Sequence, residues 1–278
     1  MSAYDKKQST QPHIRGSAAM EIGIIYFLII VISNTIGAIS GIGGGIIIRP
    51  IFDAIGYHNI LAVSFYSSIA VLVMAATSIA SKIKEGITIQ RDLALLTAMG
   101  SIFGGVMGNL FLEGLVISFP REESILGIQM IVAVITLSIS LLYTIKKWKG
   151  PNTTKKAMFF LIGGITGCIA SFLGLGGGPL NVVAFMLFFG LTIKVAAVYS
   201  LFNIIFSQLA RTITIGVTTG FQGFDLSMLA FIVPAAIIGG LMGSRVSNVL
   251  PETKVTKIYQ FMLAGVIVLN IVNFIKIT

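Results

Sequence analysis

Gly41-Ile42-Gly43-Gly44-Gly45 returns 133 residues farther along as Gly174-Leu175-Gly176-Gly177-Gly178. Each glycine disfavours a helix interior by about 1 kcal/mol, so four in five positions predict that one helix stops there and another starts. Both strings lie inside apolar sequence, which puts the two interruptions at membrane depth. Freed N–H and C=O groups are tolerated there only where protein or a water-filled cavity covers them. The short helices expected to restart near Ile46 and Pro179 then aim their N-termini, with unpaired N–H groups and partial positive charge, into the protein interior. Two such ends facing each other suit an anion. The strings are not a dinucleotide or phosphate loop, because no strand–helix unit surrounds them and no Lys-Ser/Thr follows.

The same offset places Tyr66-Ser67 on Tyr199-Ser200 and Asp92-Leu93 on Asp225-Leu226, so the chain reads as a duplicated unit. The expected organisation is a polar tail over 1–20, a first membrane repeat over 21–148, a basic linker over 149–156 and a second repeat over 157–278. Eight runs approach the roughly 20 apolar residues that a spanning helix needs. They fall near 22–40, 60–81, 93–118, 124–146, 157–173, 195–216, 226–248 and 256–276, with shorter apolar pieces at 46–56 and 179–190. Apolar residues make up 55 % of the 278 and charged residues only 10 %, far from a soluble domain. The fold class is therefore an all-α polytopic membrane protein with two tandem repeats of about four hydrophobic segments, each opening with a glycine-broken helix. Whether that helix crosses once or turns back decides between parallel and inverted repeats, and charge does not settle it.

The net charge of +9 sits between spans and not along one soluble face, which argues against a nucleic-acid partner. Lys146, Lys147, Lys149, Lys155 and Lys156 crowd one acid-free loop beside Trp148, and the positive-inside rule puts that loop in the cytoplasm of a cell-membrane protein. The tail has no apolar core and is not a signal peptide. The single cysteine, Cys168, permits no internal disulfide and reads as a small packed side chain. His13 and His58 lie outside the spans, and no metal-ligand cluster, nucleophile elbow or pair of intramembrane carboxylates appears. No enzyme, metal or cofactor is expected.

Ser200, Asn203, Ser207, Arg211 and Thr214 follow steps of 3, 4, 4 and 3 and share one helical face, with Gln208 adjacent. An arginine inside a span costs about 2.5–3.5 kcal/mol on insertion scales, so Arg211 either faces a cavity or partner or snorkels to the interface. Facing a cavity, it neutralises an anion while Asn203 and Gln208 donate hydrogen bonds. The counterpart stripe in the first half, Ser67, Ala70, Met74, Ser78 and Ser81, has no charge, which predicts an asymmetric site. Asn34, Ser40, Ser171 and Asn181 flank the glycines and either line the same cavity or satisfy opened backbone groups. Arg49 and Asp53, four apart, read as a solvated interfacial ion pair. Gly100, Gly104 and Gly108, like Ala235, Gly239 and Gly243, keep a small-xxx-small spacing and predict close helix seams.

Asn34-Thr-Ile-Gly-Ala-Ile-Ser-Gly-Ile-Gly-Gly-Gly with Pro50 following, and Ser171-Phe-Leu-Gly-Leu-Gly-Gly-Gly-Pro, resemble the TauE/SafE family of sulfite exporter-like permeases, the former DUF81 group. The resemblance extends over nearly the whole chain, and it implies transport of sulfite, an organosulfonate or another organosulfur anion. Pro179 directly follows the second glycine string, whereas Ile46 follows the first, so the half-sites need not be equivalent. The expected substrate-binding residues are Gly43, Gly44, Gly45, Gly176, Gly177, Gly178, Asn34, Ser40, Ser171, Asn181, Tyr66, Tyr199, Ser200, Asn203, Gln208 and Arg211. The expected partners are a small anionic solute and the lipid bilayer, and a homo-oligomer is compatible with the sequence. An anion channel and a non-transporting sensor or scaffold stay open as alternatives.

Overall fold

The computed structural model describes residues 16–84, 90–119, 121–146, 148, 150, 151, 153, 155–174 and 178–277. Most of the expected tail, parts of the basic linker, and Gly176 and Gly177 lie outside them. The described residues form helices and no strand. The first half contributes α1 (Gly16–Ser40), α2 (Gly45–Ile55), α3 (Ile60–Lys84), α4 (Arg91–Ser118) and α5 (Glu122–Lys146). The second contributes α6 (Lys156–Leu173), α7 (Gly178–Phe189), α8 (Ile193–Thr218), α9 (Leu229–Val249) and α10 (Glu252–Ile277), with a single 3-10 turn at Leu226–Met228 before α9. All but α2 and α7 are long and apolar enough to cross a membrane. Bulky apolar side chains such as Ile32, Phe103, Phe111 and Phe261 stand exposed on the outside, as lipid allows and water would not.

The first glycine string ends α1. Gly41 and Gly43 take φ of +73° and +85°, and Gly37 O accepts from Ile42 N and Gly43 N at 3.0 and 3.4 Å in place of a helical partner. Helix α2 then starts with Gly44 O accepting from Ile47 N and Ile48 N. It runs back along α1, since Phe52 stacks on Tyr26 with ring centroids 3.7 Å apart, and it closes on Gly56. In the second half Gly174, at φ +63°, closes α6 with its N–H on Ser171 O, and α7 returns to where α6 began. There Thr153 N donates to Phe188 O at 2.7 Å, and Gly150 lies against Leu187.

Two ends of the bundle follow from these contacts. The His58 end gathers the start of α3, the start of α5 and the end of α8; Ile60 N, for example, donates to Glu122. The Trp148 end gathers the ends of α3 and α9 and the starts of α4, α6 and α8, tied by Lys82 to Ser247, Lys194 to Asn248 O and Lys156 to Asp92. The α1–α2 pair thus turns back toward the His58 end, and the α6–α7 pair toward the Trp148 end.

Each half's third spanning helix packs on the other half. Helix α4 lies on α6 and α8, and α9 lies on α1 and α3. A Cβ at Gly100, Gly104 or Gly108 would collide with Phe160 O, Gly164 O or Cys168 O of α6, and one at Gly243 with Thr35 O of α1. A Cβ at Gly105 would stand 2.6 Å from Ser207 O of α8, and one at Gly240 would stand 2.8 Å from Met74 O of α3. Such backbone-to-backbone approach is open only to small residues and is what holds helices together in lipid.

Candidate functional site

The two glycine breaks touch. A Cβ at Gly178, the first residue of α7, would fall on Ile42 O, and Ser200 Oγ of α8 donates to both Gly41 O, at 2.8 Å, and Gly178 O, at 3.4 Å. The serine thus satisfies the Gly41 carbonyl left open past the end of α1 and ties it to the first residue of α7. Gly44 backs onto Asn34, whose Nδ2 donates to Ala70 O at 3.1 Å, and Gly43 faces Val71 and Ile204. Gly45 opens α2 and is buried.

Two arginines converge on the second break. Arg211 of α8 is 1 % exposed and Arg49 of α2 is 3 % exposed. A Cβ at Gly174 would overlap Ser64 Oγ and stand 2.6 Å from Arg49 Nη1 and 3.2 Å from Arg211 Nη1, so both guanidiniums face one bare point of backbone. Arg211 donates through Nε to Asn109 Oδ1 at 3.2 Å, through Nη1 to Ser68 Oγ at 2.7 Å, and through Nη2 to Ser64 Oγ. Arg49 donates through Nε to both carboxylate oxygens of Asp53, at 2.9 and 3.1 Å, through Nη1 to Leu173 O and through Nη2 to Gln129 Oε1. Gln129 in turn donates to Phe172 O at 2.6 Å. These seven bonds engage three N–H groups of each guanidinium and leave two on each for a further acceptor.

The surroundings are electropositive. Arg49 is salt-bridged to Asp53, whereas the partners of Arg211 are all neutral oxygens. Glu113 is half-buried at the rim, where Asn109 donates to it at 2.7 Å and Thr218 also bonds it; it has no hydrogen bond to Arg211 but attracts it electrostatically across Asn109. Arg211 lies seven residues before the end of α8, about 10 Å below the His58 end at 1.5 Å per residue. Arg211 does not snorkel to an interface. The reading of Arg49 and Asp53 as a solvated pair is also corrected: the arginine side chain is only 3 % exposed and that of Asp53 only 11 %.

Other expected residues take varied places. Tyr66 Oη donates to Asp225 O near the His58 end, and Tyr199 Oη accepts from Gln90 N near the Trp148 end, each tyrosine holding the loop before the other half's partner helix. Asn203 donates to Thr166 Oγ1 at 2.9 Å, and Ser40 to Ile36 O. Ser171 Oγ and both amide atoms of Asn181 and of Gln208 are buried without a hydrogen-bond partner. Sequence reasoning missed Ser64, Ser68, Asn109 and Gln129. Their signal was present as lone polar residues inside apolar spans, with Ser64 and Ser68 one turn apart.

At the repeat offset the charged cradle has no counterpart. Positions matching Arg49, Asp53, Ser64, Ser68, Gln129 and Arg211 hold Val182, Met186, Ala197, Leu201, Met262 and Ser78. Gly41 accordingly packs against Ala197 where Gly174 packs against Ser64. Methyl and thioether groups fill one break and donors fill the other.

Curated proteins and solved structures offer no match to the chain. A family match does exist, and it spans residues 26–270 under the description sulfite exporter TauE/SafE. That family comprises transporters and not enzymes. With eight helices among the described residues long and apolar enough to cross a membrane, the chain is a multi-pass membrane transporter that belongs to the sulfite exporter TauE/SafE family.

Proposed function

We propose that the protein carries sulfite, an organosulfonate or a related organosulfur anion across the cell membrane, binding it between the glycine-broken helices. One observation carries this reading: Arg49 and Arg211 meet at Gly174 with a carboxylate salt-bridged to only one of them. An ion taken out of water without a counterion costs on the order of several kcal/mol. Four unused N–H groups on planar guanidiniums match the oxygens of an –SO3 group, and the missing side chain at Gly174 lets an oxyanion approach both. Backbone at Gly44, Gly45 and Gly178 completes the proposed lining with Ser171, Asn181 and Gln208, and Gly43, Gly176 and Gly177 are proposed with them from the sequence strings.

The two repeats, 21–148 and 157–278, are read as inverted copies. This is supported by the matched strings, by α2 and α7 returning toward opposite ends, and by the reciprocal docking of α4 and α9. Inverted copies around a central site suit alternating access, in which one bundle rocks against the other. The basic loop around Trp148 is assigned to the cytoplasm.

The test is flux into proteoliposomes containing the purified protein. Saturable exchange of sulfite or methanesulfonate is expected, with loss of at least tenfold in Arg211→Gln and in Gly174→Leu while both variants still elute as folded protein. Undiminished exchange in Arg211→Gln removes the site, and unitary currents in place of saturable exchange replace the carrier by a channel.

A further inference from the structure

The charges around Gly174 do not cancel. Arg49 and Arg211 bring two positive charges, each 3 % exposed or less, and Asp53 brings one negative charge into salt-bridge contact with Arg49 alone. Glu113 also attracts Arg211, but from the half-exposed rim and across Asn109, where solvent screens it, so it offsets Arg211 far less than Asp53 offsets Arg49. One positive charge is therefore left for a guest to neutralise. A guest with a single negative charge closes the balance, whereas a doubly charged guest leaves an excess of one in a low-dielectric site, which is penalised far more there than in water.

We infer that the site selects monoanions over dianions of the same shape, and that Asp53 sets this preference by cancelling Arg49. The inference rests on the proposed transport function and adds the charge class of the substrate. The guest is a sulfonate or another singly charged oxyanion, and Asp53 acts as a specificity residue through Arg49 without needing to touch the anion. The other break supports the same logic, since Val182 and Met186 stand where Arg49 and Asp53 would be. The pair is present together in one half and absent together in the other.

Methanesulfonate and sulfate test this, because both present a tetrahedral sulfur with at least three oxygens and differ by one charge. Their affinities are measured by calorimetry on the detergent-purified full chain at pH 7.5. Wild type is expected to bind methanesulfonate at least tenfold more tightly than sulfate. Asp53→Asn is expected to move the ratio toward sulfate by tenfold or more, and Asp53→Glu to restore it. The double variant Arg49→Gln/Asp53→Asn has the wild-type net charge, so it should keep the monoanion preference with weaker binding of both; this arm remains readable if Asp53→Asn fails to fold. Asp92→Asn, at the Trp148 end, should leave the ratio within twofold. A wild type that binds sulfate as well as methanesulfonate, or an Asp53→Asn ratio within twofold of wild type, overturns the inference while leaving the transport reading intact. Absence of any anion binding to wild type overturns both.

Discussion

A buried arginine whose partners are serine and asparagine oxygens holds a free energy that the ligand-free protein does not recover. Replacing Arg211 by methionine should therefore raise the melting temperature of ligand-free protein, by about 2–4 °C for each kcal/mol regained, while abolishing the shift that anions produce. Ser68 tolerates the loss because its hydroxyl already donates to Ser64 O at 2.7 Å. A lower melting temperature in Arg211→Met would mark the arginine as structural. His58, which the sequence places outside the spans, is buried beside Tyr57 and Tyr66 with its Nδ1 2.9 Å from Tyr26 Oη. Burial pushes its pKa down against the opposing pull of Asp225. Below about pH 6.5 the unfolded chain takes up a proton that the folded chain resists, so stability is full above that pH and is lost as pH falls toward the folded value. Melting curves should fall between pH 7 and 5, and His58→Asn should flatten that fall. Arg211 was legible at this scale because its stripe keeps helical spacing. Arg49 was misassigned because Asp53, one turn away, offered a surface explanation that only three-dimensional burial could remove.

Helices were the most legible elements, since runs of about twenty apolar residues punctuated by charge admit few other structures in lipid. The expected restarts near Ile46 and Pro179 fall one residue from the observed Gly45 and Gly178. Which helix meets which was not legible: an internal repeat reports likeness, whereas α4 and α9 each dock on the other half. The glycine seams give this docking a measurable cost. At Gly104 a methyl group would collide with Gly164 O, yet at Gly164 it would stand 3.5 Å from Gly100 O, an ordinary contact. Gly104→Ala should destabilise the protein by about 1–3 kcal/mol in detergent unfolding, and Gly164→Ala should change it by less than about 0.5 kcal/mol. Equal effects would show that the seam is looser than these distances.

For the molecule as a whole, the return of α2 and α7 toward opposite ends fixes which loops share a side. In a Cys168→Ser background, Trp148→Cys should react with an impermeant thiol reagent only from the cytoplasm and Phe221→Cys only from outside; labelling of both from one side would sink the inverted arrangement. Orientation against the cell had only the lysine-rich loop to speak for it in the sequence, and both glycine strings were visible there without any sign that Ile42 and Gly178 touch. The lone excess positive charge at Gly174 also bears on energetics. A carrier that shuttles one such anion without a companion ion moves net current, and each 100 mV of membrane potential then contributes about 2.3 kcal/mol per charge. With the cell interior negative, that voltage alone would sustain an outward bias of roughly fifty-fold in anion concentration, so the protein would clear its solute from the cytoplasm with no gradient of its own to draw on.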